Sequence, residues 1–129
     1  MKIFLLEDDY SLNETIKETL ELNNHKVKTF YDGEVAFNNI AFEYDLYILD
    51  INTPSINGLE ILKAIKKANE KSKVIMISAN INIQTIKESY FSGCDDYITP
   101  IRKISAIFTK NYDAISFENA FIKTSNGVL

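Results

Sequence analysis

The sequence predicts an α/β domain built on a doubly wound parallel sheet, and three observations predict it. Short apolar runs alternate with stretches whose apolar residues recur at helical spacing. Four of the five runs are continuous rather than alternating, the pattern of strands covered by helices on both faces. The strand–helix order repeats five times, which implies right-handed crossovers within one sheet.

The first strand is expected at residues 3–6, with no signal peptide ahead of it. A first helix follows, because Leu12, Ile16 and Leu20 recur at four-residue steps, and Ser11 with Glu14 has capping-box spacing. The turn-like Asn23-Asn24-His25-Lys26 leads into a second strand at 27–30, which puts His25 in a surface loop. Residues 33–41 form a weaker helix carrying Val35, Phe37 and Ile40. The third strand spans 46–49, and Leu59, Leu62 and Ile65 mark the third helix, with Asn57 as its cap. The fourth strand spans 74–77. Ile83, Ile86 and Tyr90 stripe the fourth helix, capped by Asn80 or Asn82 and stopped at Gly93. Residues 97–98 form the fifth strand, and Ile101, Ile104 and Phe108 stripe the fifth helix. The tail after Ser116 breaks this rhythm; residues 120–122 suit a short strand and Asn126-Gly127 a turn.

A chain of 129 residues, 46% hydrophobic and 25% charged, suits one domain with its own core. The net charge of −4 argues against nucleic-acid contact by this domain itself, since phosphate backbones demand a basic footprint. No apolar run approaches the roughly 20 residues of a spanning helix, and no membrane partner is expected. The one cysteine, Cys94, excludes an internal disulfide, reads as a small buried hydrophobe, and fits a cytoplasmic protein.

In an open parallel sheet the ligand site lies outside the carboxyl ends of the strands. The first strand ends in Glu7-Asp8-Asp9, the third in Asp50, the fourth in Ser78-Ala79 and the fifth in Thr99-Pro100. Acidic groups from two strands and a hydroxyl from a third should therefore meet. Clustered carboxylates repel unless a cation compensates, and Mg2+ suits a few carboxylates, waters and phosphate oxygens. The pattern reads as a Mg2+-assisted phosphoryl-transfer site with one carboxylate as nucleophile. Asp8 and Asp9, taken singly, also suit solvated loop positions or helix caps.

Residues 47–60, running Tyr-Ile-Leu-Asp50-Ile-Asn52-Thr-Pro54-Ser-Ile-Asn-Gly58-Leu-Glu, resemble the phosphoacceptor segment of response-regulator receivers. Leu5-Leu6-Glu7-Asp8-Asp9 resembles their acidic pocket, residues 74–79 their switch strand, and residues 93–98 the approach to their fifth strand. The resemblance covers residues 2 to about 115 in the family's order. It implies a flavodoxin-like five-stranded sheet in the order 2-1-3-4-5, with a receiver domain at 1–115 and an extension at 116–129. It implies that Asp50 accepts a phosphoryl group from a sensor histidine kinase. Asp8 and Asp50 would hold Mg2+ with the Asn52 backbone carbonyl, and Glu7 would act through a water. Ser78 and Thr99 would offer hydroxyls to the phosphoryl group. Asp9 and Asn80 would lie at the rim, and Tyr97 would be either a switch aromatic or a plain core tyrosine.

The sequence departs from the family at one point. Receivers carry a Lys directly before the strand-five proline, and here Thr99 precedes Pro100. Arg102 or Lys103 would substitute for it, or else be solvated helix charges. The resemblance also implies a cis bond at Thr99-Pro100 and an output face made by the fourth helix, fifth strand and fifth helix, used for homodimerisation or target docking. The tail is either the start of a winged-helix effector, making the chain part of a transcriptional regulator, or an irregular extension. Two other functions compete. A degenerate receiver would dimerise without phosphotransfer, which the missing Lys favours. An aspartate-nucleophile phosphatase would need a second acid two residues past Asp50, where Asn52 stands.

Overall fold

The computed structural model describes residues 1–78 and 82–98. Its strands are β1 (Lys2–Leu6), β2 (Lys26–Phe30), β3 (Leu46–Asp50), β4 (Val74–Ile77) and β5 (Asp96–Ile98), and its helices α1 (Tyr10–Leu22), α2 (Gly33–Phe37), α3 (Gly58–Ala68) and α4 (Ile83–Phe91). The five strands are all parallel and lie in the order β2-β1-β3-β4-β5. The fifth helix, the tail and the Thr99-Pro100 bond lie outside the described residues.

Strand periodicity splits the core in two. Phe4, Leu6, Tyr47, Leu49, Val74, Met76 and Tyr97 face one side, where Ala36 of α2 and Ile61, Leu62 and Ile65 of α3 cover them. Ile3, Leu5, Leu46, Ile48, Ile75, Ile77 and Ile98 face the other, covered by Ile16 and Leu20 of α1. Fully burying each such side chain stabilises the fold by about 1.5–3 kcal/mol. Both faces of β1, β3, β4 and β5 are therefore dry beyond Lys2, as the continuous apolar runs require.

The register brings the strand ends level. Leu6 pairs with Phe30 and with Leu49, Asp50 with Ile77, and Ile77 with Ile98. The residues just past each strand thus emerge at one edge.

Several local expectations shift. Asp9, not Ser11, caps α1: its carboxylate accepts from the Leu12 amide at 3.0 Å. A carboxylate one residue ahead of the helix satisfies an orphan N–H and favours the positive end of the dipole. Asn57 caps α3 and Asn82 caps α4. Gly93 takes φ 103° just past α4, the left-handed stop its position demanded. The second helix is shorter than residues 33–41, ending at Phe37. His25 is buried rather than on the surface, with Nδ1 3.0 Å from the Met1 amine. In α4, only Ile86 of the expected stripe packs against the core; Ile83 and Tyr90 are exposed.

Candidate functional site

Glu7, Asp8 and Asp50 meet at the carboxyl edge of the two central strands, with one oxygen from each within 4.8 Å of the others. Glu7 and Asp50 are buried, and Asp8 is exposed. The chain folds this way because β1 and β3 are neighbours in register, so the residues just past Leu6 and Leu49 lie side by side. The Glu7 amide donates to the Phe30 carbonyl at 3.0 Å, continuing the β1–β2 ladder one residue into the site.

Burial acts on these acids before anything else. It pushes the Glu7 carboxyl up to about 9, and the hydrogen bond to Asp50, the Asp50 charge and the Asp8 charge push the same way. Asp50 is also raised, chiefly by burial, while the bond from Glu7 and the Asn52 amide oppose the rise. Burial and mutual repulsion thus disfavour two negative charges on this pair at once. The Asn52 amide donates to Asp50 Oδ1 at 3.3 Å. Glu7 Oε2 is buried without a hydrogen-bond partner among the described residues. A buried, unpaired carboxyl oxygen is costly unless something else binds it.

Ser78 follows β4 and is 1% exposed; its amide donates to the Ile98 carbonyl at 3.0 Å. Its side chain hydrogen-bonds the Tyr97 side chain, which is buried. Burial raises the Tyr97 phenol; the Ser78 bond opposes the rise and the Asp50 charge adds to it. Tyr97 is thus an inward aromatic close to the acidic site. Asp9 is exposed at the α1 terminus, where it serves as the cap. Thr99, Asn80, Arg102 and Lys103 lie outside the described residues.

Two supports of the site escaped the sequence reading. Asn13 is fully buried on the inner face of α1, and its Nδ2 donates to the carbonyls of Glu7 at 2.9 Å and Phe30 at 3.1 Å. It fixes the backbone from which Glu7 and Asp8 project. The available signal was an amide one turn before Ile16, on the stripe that faces the sheet. The second support lies in the loop after β3. Gly33 donates its amide to Pro54, and Ser55 Oγ donates to Asp32 Oδ2 at 3.1 Å.

Comparison with known proteins gives the same picture. The family model described as "Response regulator receiver domain" matches residues 3–109. The transcriptional regulatory protein CrdR of Helicobacter pylori is 39% identical over 101 residues, covering 75% of this chain and 46% of its own length. The chain therefore spans about half the length of that curated relative. The receiver domain of the Francisella response regulator 1452 superposes with a TM-score of 0.75 at 27% identity, covering 95% of this chain and 98% of that one. The response regulator TrrA of Thermotoga maritima, solved in complex with Mg2+ and BeF, gives a TM-score of 0.70 at 26% identity over 95% of this chain and 96% of that one. A match running from residue 3 to residue 109, on an architecture shared with solved receivers, places the chain in the response regulator receiver domain family.

Proposed function

We propose that Asp50 is the phosphoacceptor of a two-component signalling switch, and that Glu7, Asp8, Asp50 and the Asn52 carbonyl form its Mg2+ site. The observation that carries this reading is the meeting of three carboxyls within 4.8 Å at the sheet's carboxyl edge. The residues fit the ion: every donor is a hard oxygen, and Glu7 Oε2 is a buried acceptor lacking a partner among the described residues. When bound, Mg2+ would offset the carboxylate repulsion and draw phosphoryl oxygens toward the site.

The chain's own groups supply the rest. Ionised Asp50 attacks phosphorus, the O–P bond forms as the donor's P–N or P–O bond breaks, and the leaving imidazole or acetate departs from the opposite side. Asp50 must be charged to attack, and the bond from the Asn52 amide favours its ionised form. In this reading the Ser78 hydroxyl would exchange its Tyr97 partner for a phosphoryl oxygen and draw the loop after β4 inward. The donor would be a sensor histidine kinase, and the domain would promote its own phosphorylation and dephosphorylation without being a conventional enzyme.

The readout would pass through α4 and β5, and Ile83 and Phe91 of α4 stand 68% and 94% exposed there. Such apolar exposure favours homodimerisation or target docking on this face. The boundaries at 1–115 and 116–129, a transcriptional output beyond them, and a cytoplasmic location belong to the same proposal; relatives about twice as long, named as transcriptional regulators, support the output. Among the described residues no helix is long and apolar enough to cross a membrane.

Incubation with acetyl phosphate and Mg2+, followed by intact mass, tests the chemistry. A phosphoryl adduct is expected, and it should vanish in Asp50→Asn. An adduct that survives in that variant overturns Asp50 as the acceptor, and none even with a cognate kinase leaves the phosphorylation-independent interaction module that the missing Lys favours.

A further inference from the structure

We infer that Asp32, Gly33 and Ser55 form a brace that sets the height of the loop after β3, and so positions the Asn52 carbonyl for divalent-ion binding. The inference rests on the Mg2+ site proposed above.

The geometry is close-fitting from two sides. At the start of α2, a Cβ built on Gly33 would lie 1.6 Å from the Ile56 carbonyl oxygen and 3.0 Å from that of Pro54. Only hydrogen leaves room for the two backbones to touch there. The Gly33 amide uses that approach to donate to the Pro54 carbonyl at 3.1 Å. At the start of α3, a Cβ on Gly58 would lie 2.1 Å from the Asp50 carbonyl oxygen, and the Gly58 amide donates to the Ile51 carbonyl at 3.0 Å. The loop carrying Asn52 is thus wedged between the first turns of two helices.

Within the loop, Ser55 adopts φ 69°. A non-glycine residue in that region carries strain of order 1 kcal/mol and persists where its surroundings hold it. What holds it is Asp32. One oxygen of that carboxylate caps α2, accepting from the Glu34 and Val35 amides, and the other accepts from Ser55 Oγ. A single side chain therefore ties the α2 terminus to the loop. Thr53 Oγ1, donating to the Ile56 carbonyl at 2.8 Å, closes the loop on itself.

The consequence concerns Asn52, three residues before Ser55. Mg2+ demands near-ideal octahedral geometry at about 2.0–2.1 Å. A loop displaced by a fraction of an ångström loses that ligand while the fold persists. Asp32, Gly33 and Ser55 are positioning residues, acting through the Asn52 backbone.

Ser55→Gly separates positioning from folding. Glycine accepts φ 69° without strain, so the thermal midpoint should barely move, yet the bond to Asp32 is gone. The Mg2+ dissociation constant of the full chain, measured by calorimetry, should rise roughly tenfold, as for other supports of metal ligands. Ser55→Asn tolerates the same backbone and restores a donor to Asp32, so it should recover most of the affinity. Amide exchange at Asn52 should accelerate in Ser55→Gly without any metal present. Equal Mg2+ affinity and equal Asn52 exchange in Ser55→Gly overturn the brace and leave the metal site standing. No Mg2+ uptake by the unsubstituted chain overturns both.

Discussion

Glu7 shows what a single residue contributes to this site. Its folded-state value of about 9 lies above the ordinary 4.5, so the folded chain keeps a proton that the unfolded chain releases. Stability tied to that proton is fully present below about 4.5 and is lost as pH rises through about 9. Without divalent ions, denaturant midpoints should therefore decline across that window. Glu7→Gln, which cannot titrate, should flatten the decline and be the more stable protein at the alkaline end; an unchanged slope would mean that Glu7 is ionised when folded. The sequence displayed Glu7, Asp8 and Asp50 at strand ends, and their meeting followed from topology alone. That the Glu7 and Asp50 carboxyls are raised was not legible there, because that depends on depth, and both are buried. Asn13 was hidden for the opposite reason, since an amide on an apolar stripe reveals its partners only when two carbonyls are placed beneath it.

Among the elements, strands were more legible than helix ends. An apolar run bounded by polar residues marks a buried strand almost by itself, and all five expected strands are present. Helix starts depend on which of several nearby oxygens reaches an amide. At α1 three acids precede the helix, and the same residue type serves both site and cap, so spacing alone selected Ser11 where Asp9 does the capping. α4 misled for another reason. Its stripe of Ile83, Ile86 and Tyr90 has helical period, but fully buried Ser89 takes an inward position and Tyr90 sits at the rim, its hydroxyl donating to Asp96 at 3.0 Å. An apolar stripe therefore need not mark the inner face of a helix. The caps can be compared directly. Asn57→Ala and Asn82→Ala each remove one side-chain acceptor and should each destabilise the domain by about 1 kcal/mol. Only Asn57 adjoins the loop bearing Asn52, so Asn57→Ala should also weaken Mg2+ binding, while Asn82→Ala should leave it intact. Urea titration paired with metal calorimetry reads both effects.

At the scale of the molecule, the site joins β1 to β3, the central pair in the order β2-β1-β3-β4-β5. An ion held between them should therefore stabilise the sheet as a whole rather than one loop. At ten times its dissociation constant, a ligand bound only by the folded state adds about 1.4 kcal/mol. For a domain of this size that corresponds to a rise of roughly 2–8 °C in the thermal midpoint. The rise should depend on pH, because Mg2+ would compete with protons for the raised carboxyls of Glu7 and Asp50. At a fixed Mg2+ concentration the shift should be larger near pH ~8 than near pH ~5, since deprotonation of a raised carboxyl favours the metal. Calorimetry in buffers of different ionisation enthalpy should register proton release on binding. Asp50→Asn removes one of the two raised carboxyls from the proposed site, so it should abolish most of the shift. Glu7→Gln should keep part of the shift and lose its pH dependence. An equal midpoint rise at both pH values would mean that the ion binds through exposed Asp8 without displacing the buried proton, and the coupling between metal and acceptor acid would then be absent.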